Sequence, residues 1–280
     1  MLLKARQFEF AFPRPTLVMG VLNVTPDSFS DGGAFLHVGA AVQRVLEMVR
    51  EGADIIDIGG ESTRPGAVPV SVEDEIRRVV PVLERLLPDI EIPISVDTRK
   101  LEVASAAVAA GASIINDIEA NRKNEAMWQL VAKSGAGYVC MHMQGTPETM
   151  QTNPAYDDVV AVVENFFQER LGGLRSCGVQ SDQIILDPGI GFGKKIEHNL
   201  VLLSSLERLA QLDRPLLLGV SRKSFLGKVS GPDPKQRLAP ALACASLAVQ
   251  AGVRLIRTHD VLETVQAVRM TEAILAHRPE

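Results

Sequence analysis

Eight short apolar runs, separated by longer amphipathic stretches from residue 17 to the end, constrain the fold of this chain more than any other feature. The runs are LVMGVLN (17–23), DIIDIGG (54–60), PISVDT (93–98), SIINDI (113–118), YVCMHM (138–143), IILDPG (184–189), PLLLGVSRK (215–223) and LIRTHD (255–260). They are rich in Ile, Val and Leu and bounded by Gly, Pro, Asn or Asp, as strands buried on both faces are. The stretches between them carry helical periods. Val42, Val45, Leu46 and Val49 recur within 38–51, and Val72, Ile76, Val79, Val80, Leu83 and Leu87 within 72–87. Gly52, Gly111, Gly135 and Gly252 each follow a helical stretch, where a left-handed C-cap is wanted. Ser71, with Asp74 three residues on, opens the 72–87 segment in the manner of a capping box.

Eight strand–helix repeats in 280 residues predict one α/β domain over 1–280, a single (β/α)8 TIM barrel. A doubly wound sheet would carry Gly-x-Gly-x-x-Gly at its first strand–helix turn, and none is there. Residues 1–16 are expected to form a short N-terminal hairpin covering the barrel bottom. With 46% hydrophobic residues the chain can fill such a core. The 34 acidic residues outnumber the 29 basic ones, for a net charge of -5, which argues against a protein that coats nucleic acid. Cys140, Cys177 and Cys244 are odd in number and far apart. They read as small core residues in a reducing compartment rather than as a disulfide frame or zinc site. The opening MLLKARQFEFAFPRP has no apolar export core, and no stretch of ~18 apolar residues occurs. A cytoplasmic chain without a membrane partner is expected.

In barrels of this kind the active site lies at the C-terminal strand ends. The polar residues fall there: Asn23, Asp57, Asp97, Asn116, His142, Asp187, Lys223, and Arg257 with His259. A single strand-end acid is commonly a turn former; one in nearly every repeat is not explained that way. The loop after the first run, VTPDSFSDGGAFLH, is long, rich in Gly, Ser and Asp, and without apolar periodicity. The loop after the second, GESTRPGAVPVS, carries Arg64 braced by Pro65, which suggests an anion grip over the barrel mouth. GIGFGK (189–194) has the look of a phosphate loop but lacks the Walker Gly-Lys-Ser/Thr ending and spacing, so a flexible turn after the sixth run is the better account.

The segments NVTPDSFSDGG (23–33), DIGGESTRPGA (57–67), SVDT (95–98), IND (115–117), MHMQGTP (141–147), DPGIGFGK (187–194), GVSRKSF (219–225) and RTHD (257–260) resemble the dihydropteroate synthase family, in family order over essentially the whole chain. The first, second and seventh together are specific. The resemblance implies the barrel, a transferase joining p-aminobenzoate to a dihydropterin with loss of pyrophosphate, and roles for these residues. Asp187 accepts the parallel N3–H and amine donors of the pterin edge, as a carboxylate accepts a guanidinium fork. Asn116 and Asp97 serve other ring nitrogens, Lys223 donates to the ring carbonyl, and Met141 and Phe192 flank the ring. Buried carboxylates want partners, so Asp97 and Asp187 are expected near Lys223 or awaiting ligand. Thr63, Arg64, Arg257 and His259 hold the leaving pyrophosphate, with Mg2+ on Asn23. Lys223, Arg257, His259 and Arg64 form the catalytic set.

For p-aminobenzoate, the resemblance implies Phe29 and Pro65 as walls, Ser224 at a helix N-terminus for the carboxylate, and Ser221 and Arg222 nearby, although Arg222 reads equally well as a surface residue. It also implies a homodimer packed through barrel helices. Two departures stand out: IEANRK after Asn116-Asp117 places Glu119 near the pocket, and Thr258 replaces a common valine. Three other readings remain. A folate-dependent methyltransferase would have no need of the Arg64 loop, a barrel metallohydrolase would show His-x-His on the first strand, and a non-catalytic paralogue would bind pterin without turnover.

Overall fold

The computed structural model describes residues 1–24, 34–62, 68–120, 124–231, 233 and 237–279, with backbone alone over 34–37. Strands β1 (Leu2–Ala5) and β2 (Phe8–Ala11) pair antiparallel as a hairpin. Eight strands follow: β3 (Leu17–Asn23), β4 (Ile55–Gly59), β5 (Ile94–Asp97), β6 (Ile114–Asp117), β7 (Gly137–Met141), β8 (Ile184–Asp187), β9 (Leu217–Gly219) and β10 (Leu255–Thr258). All are parallel, in the order β8-β7-β6-β5-β4-β3-β10-β9. The two ends of the sheet meet at a parallel Leu186–Leu216 bridge, with Leu186 N donating to Pro215 O at 2.9 Å. The eight apolar runs therefore close into a (β/α)8 barrel, as their spacing predicts.

Between the strands lie α1 (Ala34–Arg50), α2 (Val72–Leu86), α3 (Leu101–Ala110), α4 (Glu125–Ser134), α5 (Val159–Ser176), α6 (Ile196–Ser204), the short α7 (Leu206–Ala210), α8 (Ser224–Ser230), α9 (Leu238–Gln250) and α10 (Val261–Ala276). Gly111 and Gly135 cap α3 and α4 in the left-handed conformation expected of them. Helix α1 begins four residues earlier than its apolar period, so Ala34 to His37, read from composition as loop, are helical.

In α2 the Ser71 hydroxyl caps Asp74 N at 3.1 Å, and Glu73, Asp74 and Glu75 load the positive end of the helix. Its buried face is Glu75, Val79, Val82, Leu83 and Leu86. The one polar member of that face has an ionic partner. Glu75 is fully buried, and its Oε2 takes Lys100 Nζ at 2.6 Å.

Side chains at i and i+2 of a strand share a face. On the outward face, Val18, Ile56, Ile58 and Val96 pack with α1 and α2, and Tyr138, Ile184, Leu186 and Leu218 pack with the helices of the other half. On the inward face the lower layer is Leu17, Met19, Ile55, Ile114, Val139, Ile185, Leu217 and Leu255. Leu3, Ala5, Phe10 and Phe12 of the hairpin and its exit join that layer, so the hairpin seals the barrel bottom. Higher on the same inward face, apolar residues give way to polar ones.

Candidate active site

The polar layer is built from the next inward positions: Asn23 on β3, Asp57 on β4, Asp97 on β5, Asn116 on β6, Asp187 on β8 and Arg257 on β10. Register sets them side by side. Asp97 is level with Asn116 and with Gly59, and Gly59 is level with Asn23. Arg257 spans the space between strands. Its Nε donates to Asp57 Oδ2 at 2.7 Å and its Nη2 to Asp97 Oδ2 at 2.8 Å. Asn116 Nδ2 donates to Asp57 Oδ2 at 3.0 Å. Asp97 is thus hydrogen-bonded by Arg257, while Lys223, expected from sequence near Asp97 and Asp187, interacts with both through charge.

These charges sit out of water, and their proton affinities follow. Burial pushes the Asp97 carboxyl up to about 7, with Arg257 pulling it down and Asp57 adding to the rise. Burial works against the Arg257 cation, but Asp57 and Asp97 outweigh it and hold the guanidinium charged. Asp57 is fully buried, and among the described residues its Oδ1 has no hydrogen-bond partner.

Across the barrel, Asp187 Oδ1 accepts Gly189 N at 2.7 Å. Burial raises its carboxyl, with Lys223 opposing. Burial likewise lowers the Lys223 ammonium to about 8, with Asp187 opposing. Lys223 Nζ donates to Ile190 O and stands 4.6 Å from the centre of the Phe192 ring. Phe192 packs on Ile118, Met141, Met143 and Met150. This makes an apolar shelf beside the Asp187–Lys223 pair, suited to a flat ring with a polar edge.

At the rim, Asn23 Nδ2 lies 3.5 Å from His259 Nε2. Ser221 braces His259 from behind, with its Oγ 3.2 Å from both the backbone N and the ring Nδ1 of His259. It also donates to Asp260 Oδ2 at 3.3 Å. Ser221 therefore stands with the rim histidine. Arg222 is half-exposed and pairs with Asp260 at 2.6 Å, and Ser224 is exposed at the first position of α8. Phe29, Thr63, Arg64 and Pro65 lie outside the described residues.

Two strand-end residues behave unlike the rest. His142 turns outward beneath α5, edge-on to Phe166 with ring centroids 5.0 Å apart, and meets Lys194. It does not join the polar layer. Asp57, counted among the strand-end acids but given no role, is the shared partner of Arg257 and Asn116. A carboxylate between isoleucines in a buried strand was a sufficient signal. Glu119, the departure in the fourth loop, is buried and paired with Arg99 Nη1 at 3.0 Å. Arg99 also reaches Glu61 and Glu148, each at 3.3 Å.

A (β/α)8 barrel whose mouth sets two buried carboxylates, an amide and a lysine beside an apolar shelf is the frame of a pterin-binding enzyme. The family model described as pterin binding enzyme matches residues 19–259. The dihydropteroate synthase of Escherichia coli (strain K12) is 48% identical over 259 residues, 92% of this chain and 92% of that protein. The dihydropteroate synthase of Yersinia pestis, solved with a sulfonamide drug, superposes with a TM-score of 0.91 at 44% identity, covering 99% of this chain and 100% of the other. That of Xanthomonas albilineans, in complex with 7,8-dihydropteroate, superposes at 0.89 with 44% identity and the same coverage. The chain belongs to the pterin binding enzyme family, among its dihydropteroate synthases.

Proposed function

We infer that this chain condenses 6-hydroxymethyl-7,8-dihydropterin pyrophosphate with p-aminobenzoate, giving 7,8-dihydropteroate and pyrophosphate in folate biosynthesis. The observation that carries the reading is the placement of Asp187 and Lys223 beside Met141 and Phe192, with Arg257 linked to Asp97 across the mouth. Asp187 accepts the parallel donors of the pterin edge; Asn116 and Asp97 serve the remaining ring nitrogens. Lys223 donates to the ring carbonyl. Arg257 and His259 receive the pyrophosphate, aided by Thr63 and Arg64. Ser224 receives the benzoate carboxylate, with Phe29 and Pro65 beside its ring; the contact of Arg222 with Asp260 favours its surface role.

The carbon–oxygen bond to pyrophosphate breaks with its electron pair on the leaving oxygen. The charge that develops there is what the cationic rim stabilises. The amine of p-aminobenzoate carries an unprotonated lone pair at neutral pH, so it closes the new C–N bond without a general base and sheds its proton afterwards. Loss of pyrophosphate precedes attack. A large sensitivity of the rate to electron-withdrawing groups on the aniline would overturn that order.

The donor set also bears on Mg2+. Among the described residues no group of three or more His, Cys, Asp or Glu side chains could hold a metal ion. A hard cation that keeps several waters and takes one protein oxygen together with phosphate oxygens fits Asn23. When bound, Mg2+ offsets phosphate charge, and its binding requires the substrate.

Two wider assignments accompany this. A homodimer is supported by Leu247, Met270 and Ile274, which are exposed on the neighbouring helices α9 and α10. A cytoplasmic setting is supported by three cysteines without a disulfide. Among the described residues no helix is long and apolar enough to cross a membrane. We treat residues 1–280 as one domain, the hairpin being part of its core.

The deciding experiment measures pyrophosphate release from the dihydropterin pyrophosphate with Mg2+, with and without p-aminobenzoate. Release that yields dihydropteroate and is blocked by a sulfonamide is expected. Tight pterin binding without release would identify an inactive paralogue, and neither would overturn the assignment.

A further inference from the structure

The glycine-rich turn after β8 lacks the Walker Gly-Lys-Ser/Thr ending, yet its lysine is deeply enclosed. Lys194 is buried, 3% exposed. Its Nζ donates to the carbonyls of Gly189 and Phe192, each at 2.9 Å, and lies 3.3 Å from the carbonyl of His142. The fourth neighbour is His142 Nδ1 at 3.0 Å. Burial and the Lys194 charge press the His142 pKa down to about 2, so the ring is neutral and Nδ1 serves as acceptor.

The turn forms no ladder of its own beyond the Phe192 N–Gly189 O bond. Side chains satisfy it instead. The carbonyls of Gly189 and Phe192 accept from Lys194, and that of Ile190 from Lys223. The carbonyl of Gly191 accepts from Gln151 at 2.8 Å, and that of Gly193 from Tyr156 at 2.8 Å. The turn also lies tight against the backbone after β7. A Cβ on Gly189, at φ +65, would stand 1.9 Å from His142 O, and one on Gly193 would stand 2.6 Å from Gln144 O. Only glycine permits that approach.

Three groups of the pterin end depend on where this turn sits. Asp187 Oδ1 is fixed by Gly189 N, Lys223 Nζ by Ile190 O, and the Phe192 ring is carried by the turn itself. Granting the pterin roles proposed above for Asp187, Lys223 and Phe192, we propose that Lys194 is a positioning residue for the pterin subsite: its buried ammonium holds the β8 turn in the one shape that presents all three. Replacing it leaves two or three buried carbonyls without their donor, a cost a turn relieves by moving outward. Asn23 and His259 stand on β3 and after β10 and do not touch the turn.

The test compares wild type with Lys194→Met, a substitution of similar length without donors. Binding of 6-hydroxymethyl-7,8-dihydropterin is measured by calorimetry, and kcat and both KM values by turnover. Lys194→Met is expected to weaken pterin binding and raise the KM for its pyrophosphate about tenfold, the scale of one lost charged hydrogen bond, while the KM for p-aminobenzoate stays within about twofold. A general loosening of the fold would not give that split. Tyr156→Phe and Gln151→Ala remove donors from the same turn at its more exposed side and should shift pterin binding in the same direction by about threefold. They carry the test if Lys194→Met does not fold. Wild-type pterin affinity in a folded Lys194→Met, or in both milder variants, overturns the proposal, as does equal loss of both substrates. Failure of the wild type itself to bind pterin would instead sink the assignment of the site on which the proposal stands.

Discussion

Arg257 Nε and Asp57 Oδ2 meet at 2.7 Å inside the barrel, and the same carboxylate oxygen takes the Asn116 amide at 3.0 Å. Asp57 therefore orients a cation assigned to pyrophosphate and an amide assigned to pterin. Removing its charge while keeping its shape, by Asp57→Asn, leaves Arg257 with Asp97 as its remaining carboxylate in this layer. Both kcat and pterin affinity should fall, by about 10- to 100-fold in kcat/KM, or about 1.4–2.7 kcal/mol. Steady-state kinetics with each substrate varied would check it. A change confined to the p-aminobenzoate KM would show that Asp57 has no such role.

The two ends of the pterin pyrophosphate should be separable by mutation. Asp187→Ala removes the acceptor for the pterin edge and should abolish detectable pterin binding. Arg64→Ala should leave pterin binding intact and slow turnover, because its charge is used against the leaving group. Calorimetry with the bare pterin, followed by turnover assays, distinguishes them. Equal loss of pterin affinity in both would refute the division of labour.

The barrel was legible because its signal is repetitive: eight β-rich runs, each bounded by turn residues, leave little topological freedom. The site was legible where position along a strand alone decides direction, as for Asp97, Asn116, Asp187 and Arg257. It was not legible where partners come from different strands. That Arg257 would hydrogen-bond Asp97 depends on how the strands close around the barrel. His142 failed for a different reason: it continues the outward face of Tyr138 and Cys140, so alternation itself sends its ring under α5. Apolar periodicity located α2 but cannot represent Glu75, a core position filled by a carboxylate with Lys100 as partner.

Glu119 lies in the loop after β6, and Arg99 answers it. The pair is buried on the Glu119 side, and Arg99 also contacts Glu61 and Glu148, tying together the segments after β4, β5, β6 and β7. Breaking a buried pair on one side strands a charge, so Arg99→Met should cost about 3–5 kcal/mol of stability. The double variant Arg99→Met/Glu119→Leu should recover at least about 1 kcal/mol of that. Urea unfolding of the four species gives the cycle, and strict additivity would mean the pair is uncoupled.

The raised pKa of Asp97 makes two pH-dependent predictions. Its carboxyl is held at about 7 by burial, against an ordinary value of 3.8. Between those values the folded chain keeps a proton that the unfolded chain has lost, so stability falls as pH rises through the window. Asp97→Asn cannot titrate, and its unfolding midpoint should decline less than that of wild type from pH 5 to pH 8. Ligand binding should run the other way. An ionised Asp97 accepts from the pterin ring N–H more strongly than a protonated one, so pterin affinity should rise with pH through about 7 in wild type and stay flat in Asp97→Asn. Urea titrations and calorimetry at matched ionic strength read both slopes. Parallel pH profiles in the two proteins would mean that Asp97 is ionised throughout, with Arg257 outweighing its burial.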